Sequence, residues 1–135
     1  KEGKKEVVCW GTGKPFREFL YSEDLGDACV FALENWDPMD INSPKNNKGE
    51  TLNLLNVGSG KDITIKELAE TIARLTGFTG KIIWDTSMPD GTPRKLIDVS
   101  RLKSMGWHSK ISLENGLTNI IKEFAELYTN SNLRL

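Results

Sequence analysis

Trp10 and Arg17 are the residues of this sequence whose types and spacing most clearly invite chemistry. They flank Gly11-Thr12-Gly13-Lys14-Pro15, a Gly/Pro break that turns the chain. A flat indole and a guanidinium brought to one side of a cleft suit a ligand with a ring and phosphate groups. The bland alternatives are a core aromatic at a strand end for Trp10, and an ion pair with Glu18 or Asp24 for Arg17.

The elements that must position this pair follow from periodicity. Val7-Val8-Cys9-Trp10 and residues 17–21 read as two short strands around the break, a hairpin-like or corner element. Ser22 is a candidate N-cap, with Glu23 and Asp24 in a first turn that favours negative charge. Leu25, Ala28, Cys29, Ala32 and Leu33 recur at helical spacing, which predicts a helix over about 23–34. Residues 35–51, with Asp37-Pro38, Ser43-Pro44, Asn46-Asn47 and Gly49, predict an exposed loop. Leu52-Asn53-Leu54-Leu55-Asn56-Val57 reads as a parallel strand buried on both faces. Thr64 and Glu67 form a capping box for a helix ended by Gly77. Lys81–Trp84 is a further strand, and residues 85–95 a shaped loop. Asp98 caps a short helix ending at Gly106. Ser112 caps the last one, with Leu113, Leu117, Ile120, Ile121 and Phe124 as its buried face. The whole, 1–135, is read as a single α/β domain with a small sheet and about four helices.

The totals narrow the function classes. Lys+Arg number 18 and Asp+Glu 19, a balance that gives no support for nucleic-acid or membrane-surface binding. No apolar run approaches the length of a bilayer span. The charged lead, residues 1–6, has no signal-peptide character and looks like the tail of something cut away. Cys9 and Cys29 lack a C-x-x-C spacing and read as reduced packing residues, which fits a cytoplasmic setting. A single histidine, His108, leaves metal binding to carboxylates, and no suitable carboxylate cluster appears. His108 itself reads as a surface or capping residue.

Two glycine pairs followed by lysine invite a phosphate-loop reading, and both fail it. Gly58-Ser59-Gly60-Lys61 has Leu55 and Asp62 where the loop needs glycine and Ser or Thr. Gly11-Thr12-Gly13-Lys14 runs into Pro15. The third glycine of a dinucleotide fingerprint is replaced by Phe16 or Ile63. No cofactor-binding βαβ unit is visible.

Three stretches nevertheless resemble a known family. Val8-Cys9-Trp10-Gly11-Thr12-Gly13-x-Pro15-x-Arg17-Glu18-Phe19-Leu20-Tyr21-x-x-Asp24-Leu25, Leu54–Gly60 and Trp84–Asp98 are similar to the C-terminal part of the GDP-L-fucose synthases. These belong to the extended short-chain dehydrogenases/reductases, the NAD-dependent epimerase/dehydratase family. R-E-F-L-Y-x-x-D-L and L-N-V-G-x-G are shared widely among nucleotide-sugar epimerases and dehydratases. W-G-T-G-x-P-x-R and P-D-G-T-P-R-K are narrower and point to the fucose synthase branch.

The resemblance implies the GDP-sugar-binding portion of an NADP-dependent 3,5-epimerase/4-reductase that lacks its N-terminal Rossmann core. NADP, the catalytic Ser, Tyr and Lys, and the epimerisation acid and base would lie in that N-terminal domain. The fragment alone would then hold no cofactor, no metal and no catalytic residue, and the full-length form would be a homodimer. In the family, residues matching Trp10, Arg17 and Asp90 contact the substrate nucleotide. Asp90 sits in a Pro-Asp-Gly turn, where its carboxylate can accept from two ribose hydroxyls or from guanine N–H groups, or simply form the turn. Arg94 and Lys95 can meet phosphate or stay solvated, and Lys14 and Lys61 read as solvated. The competing readings are another nucleotide-sugar epimerase or dehydratase, and a non-catalytic nucleotide-sugar-binding or interaction module. Without a neighbouring sheet, the Leu52–Val57 strand should be paired across molecules, covered by the chain's own helices, or poorly ordered.

Overall fold

A computed structural model of the chain describes residues 3–129. The first two residues of the charged lead lie outside them. The chain gathers into two compact units. One comprises Lys1–Arg17, Asp62–Lys95 and Ser112–Leu135, the other Glu18–Lys61 and Leu96–Ile111.

The first unit carries the strands. β1 (Glu6–Trp10) runs parallel to β4 (Lys81–Asp85), in register from Glu6 opposite Lys81 to Trp10 opposite Asp85. A second sheet has the order β3-β2-β5, with β3 at Asp62–Thr64, β2 at Phe16–Glu18 and β5 at Arg94–Lys95. β2 is shorter than the strand the sequence predicts.

Helix α2 (Ile65–Thr76) starts at Thr64, which accepts the Glu67 N–H at 3.1 Å while the Glu67 carboxylate accepts the Thr64 N–H at 2.8 Å. It stops at Gly77, whose φ of 67° is the left-handed turn that glycine adopts without steric cost. α4 (Leu113–Thr129) packs against α2, with Arg74 and Glu114 paired at 3.0 Å. Ser112 caps α4 by accepting the Asn115 N–H.

The inward face of α4 is narrower than its apolar pattern predicts. Leu113, Gly116, Leu117, Ile121 and Ala125 turn inward, whereas Ile120 and Phe124 are half-exposed. The helix buries one stripe against α2. The neighbouring apolar positions then face outward.

The second unit is built on α1 (Ser22–Asn35) and the short helix α3 (Ser100–Ser104). Its core is Ala28, Leu102 and Trp107, with Leu20, Phe31, Leu55 and Val57 packed around them. Asp98 accepts the Ser100 N–H at 2.9 Å ahead of α3. Three sequence expectations are corrected here.

Ser22 is the first helical residue rather than the cap; Tyr21 holds that position, with no side-chain capping bond.

The face of α1 is also rotated. Buried Asp24 accepts the Lys110 N–H at 3.2 Å and the Ile111 N–H at 3.0 Å, and this turns Asp24, Ala28 and Phe31 inward. Leu25, Cys29 and Leu33 therefore face outward, and Cys29 is not a packing residue.

Leu52–Val57 forms no strand. A buried parallel strand needs a neighbour for every N–H and C=O. This unit offers none, and only Leu55 and Val57 of the segment reach the core.

Candidate functional site

β1 delivers Trp10 to its last position and then breaks. Gly11 and Gly13 adopt φ of 79° and 72°, a conformation a side chain would strain. The Gly11 N–H donates to Asp85 O at 2.9 Å, so the turn grows directly out of the β1–β4 pairing. Carbonyls of Gly13 and Pro15 accept the N–H groups of Lys66 and Ile65, at 2.9 and 3.0 Å. Those are two of the donors a helix N-terminus leaves unpaired, so the turn also caps α2.

The loop leaving β4 is pinned at its start by Asp85, which accepts from Ser87 N and Oγ, at 3.0 and 2.5 Å. It returns beside β2, where the Phe16 N–H donates to Pro93 O at 2.8 Å. Trp10, Gly13, Pro15, Arg17, Ile65, Pro89, Asp90 and Gly91 line one cleft of about 120 Å³ between these two loops. The three residues singled out by the sequence are therefore brought together.

Their environments bear on the alternatives left open above. Trp10 is 73% exposed, so it is no core aromatic. Arg17 Nη1 donates to Phe16 O and Thr92 O, each at 2.6 Å. Its Nη2 lies beside Gly91, 3.0 Å from where a Cβ would stand. Carbonyls fix the guanidinium without neutralising it, so its charge remains available to an anion. The carboxylates of Glu18 and Asp24 are occupied by backbone N–H groups instead. Asp90 accepts from Thr12 N at 2.8 Å and Thr12 Oγ1 at 2.6 Å. Those two bonds, aided by the charge of Lys14, hold its carboxyl below the ordinary value. Asp90 is thus an anionic acceptor and a poor proton donor.

Arg94 has its charge met within the chain. It pairs with Asp62 at 2.7 and 3.2 Å and lies over the Phe16 ring at 5.7 Å, and the Asp62 carboxylate pushes its pKa up further. His108 lies in the other unit. There it lines a larger cavity, about 230 Å³, with Asp27, Trp107 and Lys110. Asp27 is already taken by Lys110 Nζ at 3.0 Å and Trp107 Nε1 at 2.9 Å, which lower its pKa. Among the described residues, no group of three or more His, Cys, Asp or Glu side chains is arranged to hold a metal ion. None of the helices among them is long and apolar enough to cross a membrane.

The sequence reading missed Thr12 and Glu18. Thr12 lies inside the glycine turn and meets Asp90 across 78 residues of sequence. Glu18 accepts from Gly60 N at 2.6 Å, Ser59 Oγ at 3.2 Å and Ile97 N at 3.0 Å. A charged residue set among apolar strand residues was the only local signal for it.

Known proteins resemble this chain in sequence and in fold. Residues 1–47 match the model of the NAD dependent epimerase/dehydratase family. Over 116 residues the chain is 48% identical to GDP-L-fucose synthase 1 of Arabidopsis thaliana, covering 86% of this chain and 32% of that protein. The chain is thus similar to the NAD-dependent epimerase/dehydratase family. It is also 45% identical over 129 residues to GDP-L-fucose synthase of Escherichia coli K12, covering 90% of this chain and 36% of the relative. A solved GDP-mannoheptose C4 reductase from Campylobacter jejuni with NADP bound superposes with a TM-score of 0.73 at 35% identity, over 90% of this chain and 35% of that one. The α/β fold is therefore that of the matching third of such a protein, and the chain spans about a third of the length of the curated relatives it matches.

Proposed function

We propose that this chain is the GDP-sugar-binding portion of an NADP-dependent epimerase/reductase like the GDP-L-fucose synthases. The observation that carries the reading is the convergence of Trp10, Arg17 and Asp90 on one cleft from separate stretches of the chain. Trp10 presents an indole to a base or ribose. Arg17 meets a diphosphate with charge-assisted hydrogen bonds. Asp90 accepts from ribose hydroxyls or base N–H groups.

The size of the cleft agrees with a partial site. Complete small-molecule pockets run from roughly 300 to 1,000 Å³, and this one is about 120 Å³. The only carboxylate of its lining is kept ionised by Thr12, which makes it a poor proton donor. In this reading the chemistry belongs to residues outside this chain. Hydride would come from NADPH, which the glycine turns of this chain do not fit. A Cβ on Gly13 would meet the Trp84 ring at 2.7 Å, and one on Gly58 would meet Glu18 at 2.5 Å, so both turns are filled from within. In the full-length form we place the cofactor in a preceding dinucleotide-binding domain and expect a homodimer.

Calorimetric titration with GDP and UDP tests the reading. Saturable binding of GDP, weaker for UDP, is expected. Arg17→Ala should weaken GDP binding about tenfold or more through the lost charged hydrogen bonds. No saturable binding at millimolar GDP overturns the assignment, and unchanged binding by Arg17→Ala removes that residue from the site.

A further inference from the structure

We propose that Thr12 is the positioning residue of this cleft, holding the Asp90 carboxylate in the wall that meets the ligand. The inference rests on the nucleotide-binding reading above. It assigns the task of orienting Asp90 to a residue that is not itself among the lining residues.

The geometry leaves little freedom. Thr12 Oγ1 accepts the Lys14 N–H at 3.2 Å, so the hydroxyl proton is directed to Asp90 Oδ2, 2.6 Å away. The Thr12 N–H takes Asp90 Oδ1 at 2.8 Å. Both carboxylate oxygens are thus gripped by one residue, which fixes the rotation of the group as well as its place. An ionised carboxylate offers about four lone-pair sites. Thr12 uses two, and the remaining acceptor capacity is left for paired donors, such as vicinal hydroxyls or two ring N–H groups.

Gly11 is part of the same device. A Cβ there would stand 2.3 Å from Asp90 Oδ1. Only a residue without a side chain lets the carboxylate come close enough to be gripped on both oxygens. Asp90 faces the cleft together with Trp10 and Arg17, so loosening the grip misplaces one wall of the ligand site.

The test uses Thr12→Val and Thr12→Ser in the 135-residue chain. Valine keeps the N–H bond and the shape but loses the hydroxyl; serine keeps both donors. Thr12→Val should weaken GDP binding about tenfold, the scale of one hydrogen bond to a charged group. Thr12→Ser should restore it to within about twofold, a rescue that a packing role would not give. Thermal midpoints of the two variants should stay close together. GDP binding by Thr12→Val equal to the parent chain overturns the inference, as does a serine variant as weak as the valine one. A parent chain that binds no GDP takes down the nucleotide reading first, before any variant is compared. Amide hydrogen exchange needs no ligand. The Thr12 N–H should be protected in the parent and lose protection in Asp90→Ala; an unprotected Thr12 N–H in the parent refutes the grip itself.

Discussion

The turns at Gly11-Thr12-Gly13 and Gly58-Ser59-Gly60 are made of similar residues, and each grips a carboxylate from elsewhere in the chain. Successive backbone N–H groups beside a glycine form a concave donor site that suits an anion. Both turns look from sequence like phosphate loops, and both are satisfied internally. The difference lies in what each carboxylate has left over. Glu18 is part-buried and accepts three donors, from Gly60, Ser59 and Ile97. Asp90 is exposed, accepts two donors from a single residue, and borders a cleft. The same local chemistry thus ties a framework together at one turn and, in the proposed reading, orients a recognition group at the other.

That contrast predicts an ordered set of effects. The largest should come from Glu18→Ala, which strands the Gly60 and Ile97 N–H groups and should cost about 2–4 kcal/mol in urea unfolding. A loss below about 0.5 kcal/mol would mean that water replaces the carboxylate and the turn is not a framework element. Next comes Gly11→Ala. Its φ of 79° and the approach of Asp90 make it costly in two ways. About 1–2 kcal/mol of stability should go with the strain, and GDP affinity should fall with it. Gly58→Ala should cost stability by displacing Glu18 yet leave GDP affinity unchanged. Equal loss of affinity in both glycine variants would erase the distinction between the turns.

The smallest effect is on pH dependence. Thr12 lowers the folded pKa of Asp90, first through its hydroxyl and then through its N–H. Its contribution is complete above the unfolded carboxyl value of about 3.9 and is lost as pH falls through the lower folded value. The stability difference between the parent and Asp90→Asn should therefore be flat from neutral pH to about pH 4 and shrink below it. A difference that shrank between pH 7 and 5 would contradict a lowered pKa.

What the sequence made legible was local. The Thr64–Glu67 capping box and the Gly77 stop each depend on residues within one turn, so spacing alone reveals them. Strand β1 follows from a short run of apolar residues. Leu52–Val57 shows the limit: its composition fits a buried strand, but a strand exists only where a neighbour accepts its hydrogen bonds. The α1 face shows a second limit. Five apolar positions predicted the inward stripe, but a polar anchor, Asp24 on the Lys110 and Ile111 N–H groups, decided the rotation. The meeting of Trp10 and Arg17 at one cleft was readable because they flank one turn. The Thr12–Asp90 contact was not, because the two lie 78 residues apart.

The parallel pairing of β1 with β4 has a consequence for how the cleft comes into being. Its two loops leave the same ends of two strands that a long stretch of chain separates. Closing so long a loop is paid in entropy before any contact repays it, and contacts of this kind form slowly. No fragment shorter than that span can contain both walls. Nucleotide binding should therefore appear late in refolding, after α2 has gained its helicity. In the proposed reading the cleft is then a clock as well as a site: the moment at which GDP first binds should mark the docking of the two strands.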